Sequence, residues 1–105
     1  FAIWAVKKNA NWIFNKPEGK PYLRSLYSAS VVNGKEKLGH PTQKSLSIMK
    51  DIISVHTNQN EIILDPFMGS GTTGEAALLL GRKFIGIEKE ENYFLMSKNR
   101  LEKYL

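Results

Sequence analysis

Residues 61–74 read Glu-Ile-Ile-Leu-Asp-Pro-Phe-Met-Gly-Ser-Gly-Thr-Thr-Gly, and residues 75–88 continue Glu-Ala-Ala-Leu-Leu-Leu-Gly-Arg-Lys-Phe-Ile-Gly-Ile-Glu. A short apolar run, Ile62-Ile63-Leu64, ends in a carboxylate, Asp65. A glycine-rich turn follows, then an alanine- and leucine-rich stretch, then a second apolar run ending in Glu88. This order predicts one strand–loop–helix–strand unit of a parallel sheet. The helix is expected from about Thr72 to Leu80, with Ala76, Ala77 and Leu80 on the sheet and Gly81 as its C-cap. Ligands of such sheets bind at the carboxyl edge of the strands, where both acids and the glycine turn fall.

Gly69, Gly71 and Gly74 have the spacing G-x-G-x-x-G, which lets a backbone approach a ligand closely. Taken alone the spacing is weak, because a tight strand-to-helix turn needs glycines too. The strand before, the helix after, and an acid 17 residues beyond Gly71 strengthen it. Glu75 stands where a phosphate-binding P-loop carries lysine, which disfavours that motif. A carboxylate at position 65 would repel a pyrophosphate seated on the helix N-terminus. It suits a cation instead, such as the ammonium group of S-adenosylmethionine, with Glu88 accepting from the ribose hydroxyls. Charge therefore favours S-adenosylmethionine over NAD.

The segment Asp65-Pro66-Phe67-Met68-Gly69-Ser70-Gly71-Thr72-Thr73 resembles the cofactor motif of the DNA amino-methyltransferases, which methylate N6 of adenine or N4 of cytosine. Upstream, His40-Pro41-Thr42-Gln43-Lys44 resembles the family's other cofactor-side motif. The order of the two resembles the β-group of these enzymes. The resemblance is strong over residues 38–105 and loose over 1–37. It implies an α/β fold: a partial doubly wound, Rossmann-like methyltransferase sheet with flanking helices. Residues 1–37 would be late sheet strands and the tail of the target-recognition region, and 38–105 the cofactor-binding portion. The implied cofactor contacts are Asp65, Pro66, Phe67, Gly69, Ser70, Gly71, Thr72, Thr73 and Glu88, joined by His40, Thr42 and Lys44. A histidine beside proline, with no second ligand at metal spacing, reads as holding its loop. Ser45 stands where the family usually has proline, a mild departure.

Composition agrees with a soluble globular chain: 42% of the 105 residues are apolar and 24% charged. There is no cysteine, hence no disulfide framework and no thiolate metal site. The apolar runs are too short to span a membrane, and no signal peptide is visible, which points by default to the cytoplasm. Residues 1–45 hold eight Lys/Arg against two Asp/Glu, a net of +6; residues 46–105 hold seven against eight, a net of −1. A basic first half beside a nearly neutral second half suits a nucleic-acid face joined to a cofactor face, or simply a solvated lysine-rich surface.

Residues 1–6 and 12–15 are apolar enough to predict two short strands, with Trp4 and Trp12 packed in a core. A chain that opens mid-strand without methionine reads as a truncated start. Residues 15–39 have loop chemistry; Lys16, Lys20, Arg24, Lys35 and Lys37 suit phosphates there, and Tyr22 or Tyr27 a base. Leu46, Met49, Ile52, Ile53 and His56 share one face of a helix starting between Thr42 and Ser45 and stopping by Thr57-Asn58. Tyr93, Met96, Leu101 and Leu105 predict a last helix over 91–104.

The family's catalytic loop is of the type Asp/Asn-Pro-Pro-Tyr/Phe, where side chain and proline carbonyl accept from the target amine and the ring stacks on the flipped base. Prolines here stand only at 17, 21, 41 and 66, so that loop is absent. In the β-group it would lie upstream of Phe1. Three expectations follow. The chain alone binds S-adenosylmethionine weakly or not at all, does not itself methylate DNA, and pairs with its missing N-terminal portion or with a second copy. The rival reading is a non-catalytic nucleic-acid-binding or assembly remnant of such an enzyme, and an NAD-binding domain is a distant third.

Overall fold

The computed structural model describes residues 3–19, 39 and 42–105. Its elements, in chain order, are α1 (Leu46–His56), β1 (Ile62–Asp65), α2 (Thr72–Leu79), β2 (Lys83–Gly86) and α3 (Glu91–Glu102). The strands pair in parallel, with Ile62 opposite Lys83, Ile63 opposite Phe84, Leu64 opposite Ile85 and Asp65 opposite Gly86. Beyond the ladder, Ile87 N–H donates to Asp65 O (2.9 Å) and Met68 N–H to Ile87 O (3.0 Å), so the pairing runs on into the glycine turn.

Alternation decides which sheet face is covered. Ile63 and Phe84 pack against a core of Ile53, Ala76 and Ala77, joined by Leu46, Met49 and Leu80. Both alanines are 0% exposed, so α2 approaches the sheet closely. Gly74 serves the same end: a Cβ there would meet the Phe84 ring at 2.6 Å and Leu101 Cδ1 at 2.9 Å. Gly81, with φ of 74°, ends α2, and Arg82 reaches from there to Leu80 O (2.5 Å) and Thr57 O (2.6 Å). A cation thus satisfies carbonyls at the C-terminal ends of both α1 and α2. On the other sheet face, Ile62, Leu64, Ile85 and Ile87 are all more than half exposed. Parallel sheets normally have both faces covered.

The strands expected at 1–6 and 12–15 do not form over the described residues 3–6 and 12–15. Asn15 is instead held by the end of α1: its N–H donates to Val55 O (2.6 Å) and its Nδ2 to Ser54 O and Thr57 O. Trp4 and Trp12 meet edge-to-face at 5.4 Å and Trp4 lies 5.0 Å from the His56 ring, yet both tryptophans stay more than half exposed. The segment is held by these ring contacts and by the Asn15 bonds to the end of α1. α1 starts at Leu46 with Ser45 before it, but the Ser45 hydroxyl pairs with Ser47 Oγ and makes no capping bond. The last helix forms over Glu91–Glu102; Leu105 lies beyond it, 93% exposed, and the buried positions of α3 are Ser97 and Arg100. Residues 20–38, and with them Lys20, Arg24, Lys35, Lys37, Tyr22 and Tyr27, lie outside the described residues, as does His40.

Candidate functional site at the carboxyl edge of the sheet

Asp65 is the last residue of β1, and its Oδ1 accepts the Phe67 N–H at 3.0 Å. This is an Asx-type turn: a short carboxylate bonds the backbone two residues on and carries the chain through Pro66. Asp65 is half-buried, and none of the ion pairs among the described residues involves it. Among the described residues its carboxylate is met by the Phe67 N–H dipole. Phe67, next along, is 88% exposed.

Glu88 stands two residues past Gly86, the partner of Asp65 in the ladder. Its Oε2 accepts the Gly69 N–H at 3.0 Å and its Oε1 the Glu90 N–H at 2.9 Å. A carboxylate offers about four lone-pair sites. The two bonds to backbone fix its orientation beside the loop. The loop is also closed on itself, with Gly71 N–H donating to Met68 O at 2.8 Å. Gly69 (φ 50°) and Gly71 (φ 80°) take the left-handed backbone that this turn requires.

The hydroxyls divide differently. Ser70 (3% exposed) and Thr72 (4%) are buried and turned to Arg100, whose Nη1 lies 2.9 Å from Thr72 Oγ1. Thr73 Oγ1 points to Met49 Sδ at 3.9 Å, toward α1. Thr42 and Lys44 are exposed in the segment leading into α1. What the loop presents at the sheet edge is thus backbone between two oriented carboxylates, acceptors of the kind that suit a cation and a vicinal diol.

Sequence reasoning missed the group behind the loop. Arg100 Nε donates to Glu75 Oε2 (2.5 Å), Tyr104 OH to Glu75 Oε1 (2.6 Å), and Lys103 Nζ lies 3.3 Å from the same oxygen. Burial acts to raise the Glu75 pKa, but the hydrogen bonds from Tyr104 and Arg100 and the Arg100 charge outweigh it and hold the carboxyl below its ordinary value. One signal was available: Glu75 is the lone charge in the run from Thr72 to Leu80, and a buried acid needs a cation.

The sequence profile of the DNA methylase family, which groups N6 and N4 methyltransferases, matches residues 3–99. The chain is similar to the type II methyltransferase M2.LlaDCHI of Lactococcus lactis subsp. cremoris, at 47% identity over 96% of this chain and 41% of that protein. It is similar to the type II methyltransferase M2.DpnII of Streptococcus pneumoniae, at 39% identity over 95% of this chain and again 41% of the relative. Among solved structures, the M1.HpyAVI–SAM complex superposes with a TM-score of 0.83 at 59% identity, covering 91% of this chain and 47% of that one. The chain therefore spans less than half the length of these relatives. On the profile match and these identities, the chain belongs to the DNA methylase family.

Proposed function

We propose that this chain is the cofactor-holding, C-terminal portion of a β-group DNA amino-methyltransferase of a restriction–modification system. The observation that carries the reading is the pair Asp65 and Glu88, two carboxylates fixed at adjacent parallel strand ends on either side of the glycine loop. They fit S-adenosylmethionine in kind: Asp65 suits the methionine ammonium, Glu88 the ribose hydroxyls, and the backbone of Phe67 to Gly71 the close approach. The names of the relatives, type II methyltransferases and a SAM complex, support the same choice. Thr42 and Lys44 serve the methionine end, by the family resemblance; for Ser70, Thr72 and Thr73 the contribution is through backbone, since their hydroxyls are engaged within the protein.

When bound, the cofactor supplies a sulfonium methyl for an exocyclic amine of DNA. The residues of this chain do the holding: they orient the methyl donor and exclude water from it, so that the amine meets it in line. The Pro-Pro-Tyr-type loop that would accept from the amine is not among these 105 residues, so this chain alone is inactive and the loop is supplied by the rest of the protein. The exposed face of Ile62, Leu64, Ile85 and Ile87 supports this, because it needs a cover that the described residues do not provide. Residues 38–105 form the cofactor portion and 1–37 lead in from the recognition region.

The test is methyl transfer from labelled S-adenosylmethionine to DNA by the intact protein, with the product base identified by mass spectrometry. N6-methyladenine or N4-methylcytosine is expected. A protein that binds DNA and raises its melting temperature with neither S-adenosylmethionine nor its demethylated product would instead support the non-catalytic remnant.

A further inference from the structure

The glycine loop is flanked by two residues that lack a Cβ, so its peptides are free to turn over unless something holds them. Gly71 is also the N-cap of α2 and offers no side chain to tie the loop to the helix. The Ser70–Gly71 peptide is nonetheless gripped on both sides. Its N–H donates to Met68 O at 2.8 Å, and its carbonyl oxygen accepts from Arg100 Nη1 at 3.2 Å. The same Nη1 donates to Thr72 Oγ1 at 2.9 Å, and Nε to Glu75 Oε2 at 2.5 Å. One guanidinium, 8% exposed, thus spans the loop, the first residue of α2 and its first turn, 28 residues away in sequence at Thr72.

Electrostatics alone does not explain an arginine there. The N-terminus of a helix carries positive partial charge and favours acids. Glu75 satisfies that preference, and a cation beside it is buried at a cost that only good geometry offsets. What the arginine gains by being there is the carbonyl of Ser70, which would otherwise be a buried acceptor free to swing with Gly71. Tyr104 and Lys103, bonded to the other oxygen of Glu75, hold the acid in place for it.

We propose that Arg100 is a positioning residue for the cofactor loop, fixing the Ser70–Gly71 peptide so that the loop meets its ligand already formed. The inference rests on the reading of the loop as the S-adenosylmethionine site, and its test separates the two. In the intact protein, calorimetry with S-adenosylmethionine is run on the unaltered chain, Arg100→Gln, Arg100→Lys, and a core control, Ile53→Ala, which lies outside the site. Amide exchange of residues 69–71 is followed in parallel, well below each melting temperature. Binding by the unaltered protein tests the site reading by itself.

Lysine keeps the charge opposite Glu75 but has no planar fork to span three acceptors, so it keeps much of the stability and not the geometry. Both Arg100 variants are expected to bind S-adenosylmethionine about tenfold more weakly or worse, with faster exchange at Gly71. Ile53→Ala is expected to lose melting temperature while keeping affinity and slow exchange. Should Arg100→Gln not fold, Arg100→Lys carries the comparison. Affinity and Gly71 exchange unchanged in Arg100→Lys, or lost equally in Ile53→Ala, would overturn the proposal even in a protein that binds the cofactor well.

Discussion

The Glu88 carboxylate reaches back 19 residues to accept the Gly69 N–H at 3.0 Å. One side chain thereby joins the chain just past β2 to the middle of the glycine loop. Glu88 is consequently both part of the loop's frame and a candidate acceptor for a diol. Replacing it with glutamine keeps one acceptor oxygen and removes the other along with the charge. Glu88→Gln is predicted to weaken S-adenosylmethionine binding by about tenfold and to lower the melting temperature, as calorimetry and thermal unfolding would show. The melting temperature falls because the amide NH2 would face one of the two backbone N–H donors that now meet a carboxylate oxygen.

The Glu75 carboxyl gives a pH dependence with a definite sign. Its pKa in the folded protein lies below the ordinary value of 4.5. The stability it contributes is therefore complete above about pH 4.5 and is lost as pH falls through the lower folded value. Denaturant titrations between pH 7 and pH 3 should show an acid decline in stability that is shallower in Glu75→Gln, although that variant starts less stable at pH 7.

At Gly74 two effects oppose each other. Alanine would improve the helix by about 1 kcal/mol. Its Cβ would also meet the Phe84 ring at 2.6 Å, and that ring is packed against the core. Overpacking of this kind costs about 1–3 kcal/mol, so the clash wins. Gly74→Ala should lower the melting temperature, and a stabilised variant would show that α2 stands further from the sheet.

Leu64 is 59% exposed in this chain. Left that way, its truncation to alanine would cost well under ~1 kcal/mol. If the rest of the protein covers this face, Leu64→Ala should cost the intact protein about 2–5 kcal/mol in urea unfolding. The 105-residue chain alone should bind an apolar dye strongly and self-associate.

The central unit was legible because each signal in it is local. An apolar run ending at Asp65, glycines at 69 and 71, paired alanines at 76 and 77 and a stop at Gly81 all act within a few residues of one another, and the structure has a strand, turn, helix and C-cap there. The family resemblance rested on the same stretch together with His40-Pro41-Thr42-Gln43-Lys44 upstream. The strands expected at 1–6 and 12–15 have no counterpart over described residues 3–6 and 12–15, because an apolar run states what it would bury and not what its backbone will bond; here Asn15 bonds the end of α1. Arg100 was invisible for the converse reason. Its partners Ser70, Thr72 and Glu75 lie 25 to 30 residues away, and nothing in the local pattern of α3 marks one of its charges as buried.

The claim on which the account depends is that the Asp65 carboxylate meets a positive charge on the methyl donor. It is tested by measuring, in the intact protein, the affinity of the unaltered chain and of Asp65→Asn for S-adenosylmethionine and for methylthioadenosine, which keeps the nucleoside and lacks the ammonium group. The account predicts that Asp65→Asn weakens S-adenosylmethionine by about tenfold or more and leaves methylthioadenosine unchanged. Equal affinities of both proteins for S-adenosylmethionine, or equal losses for the two ligands, would contradict it.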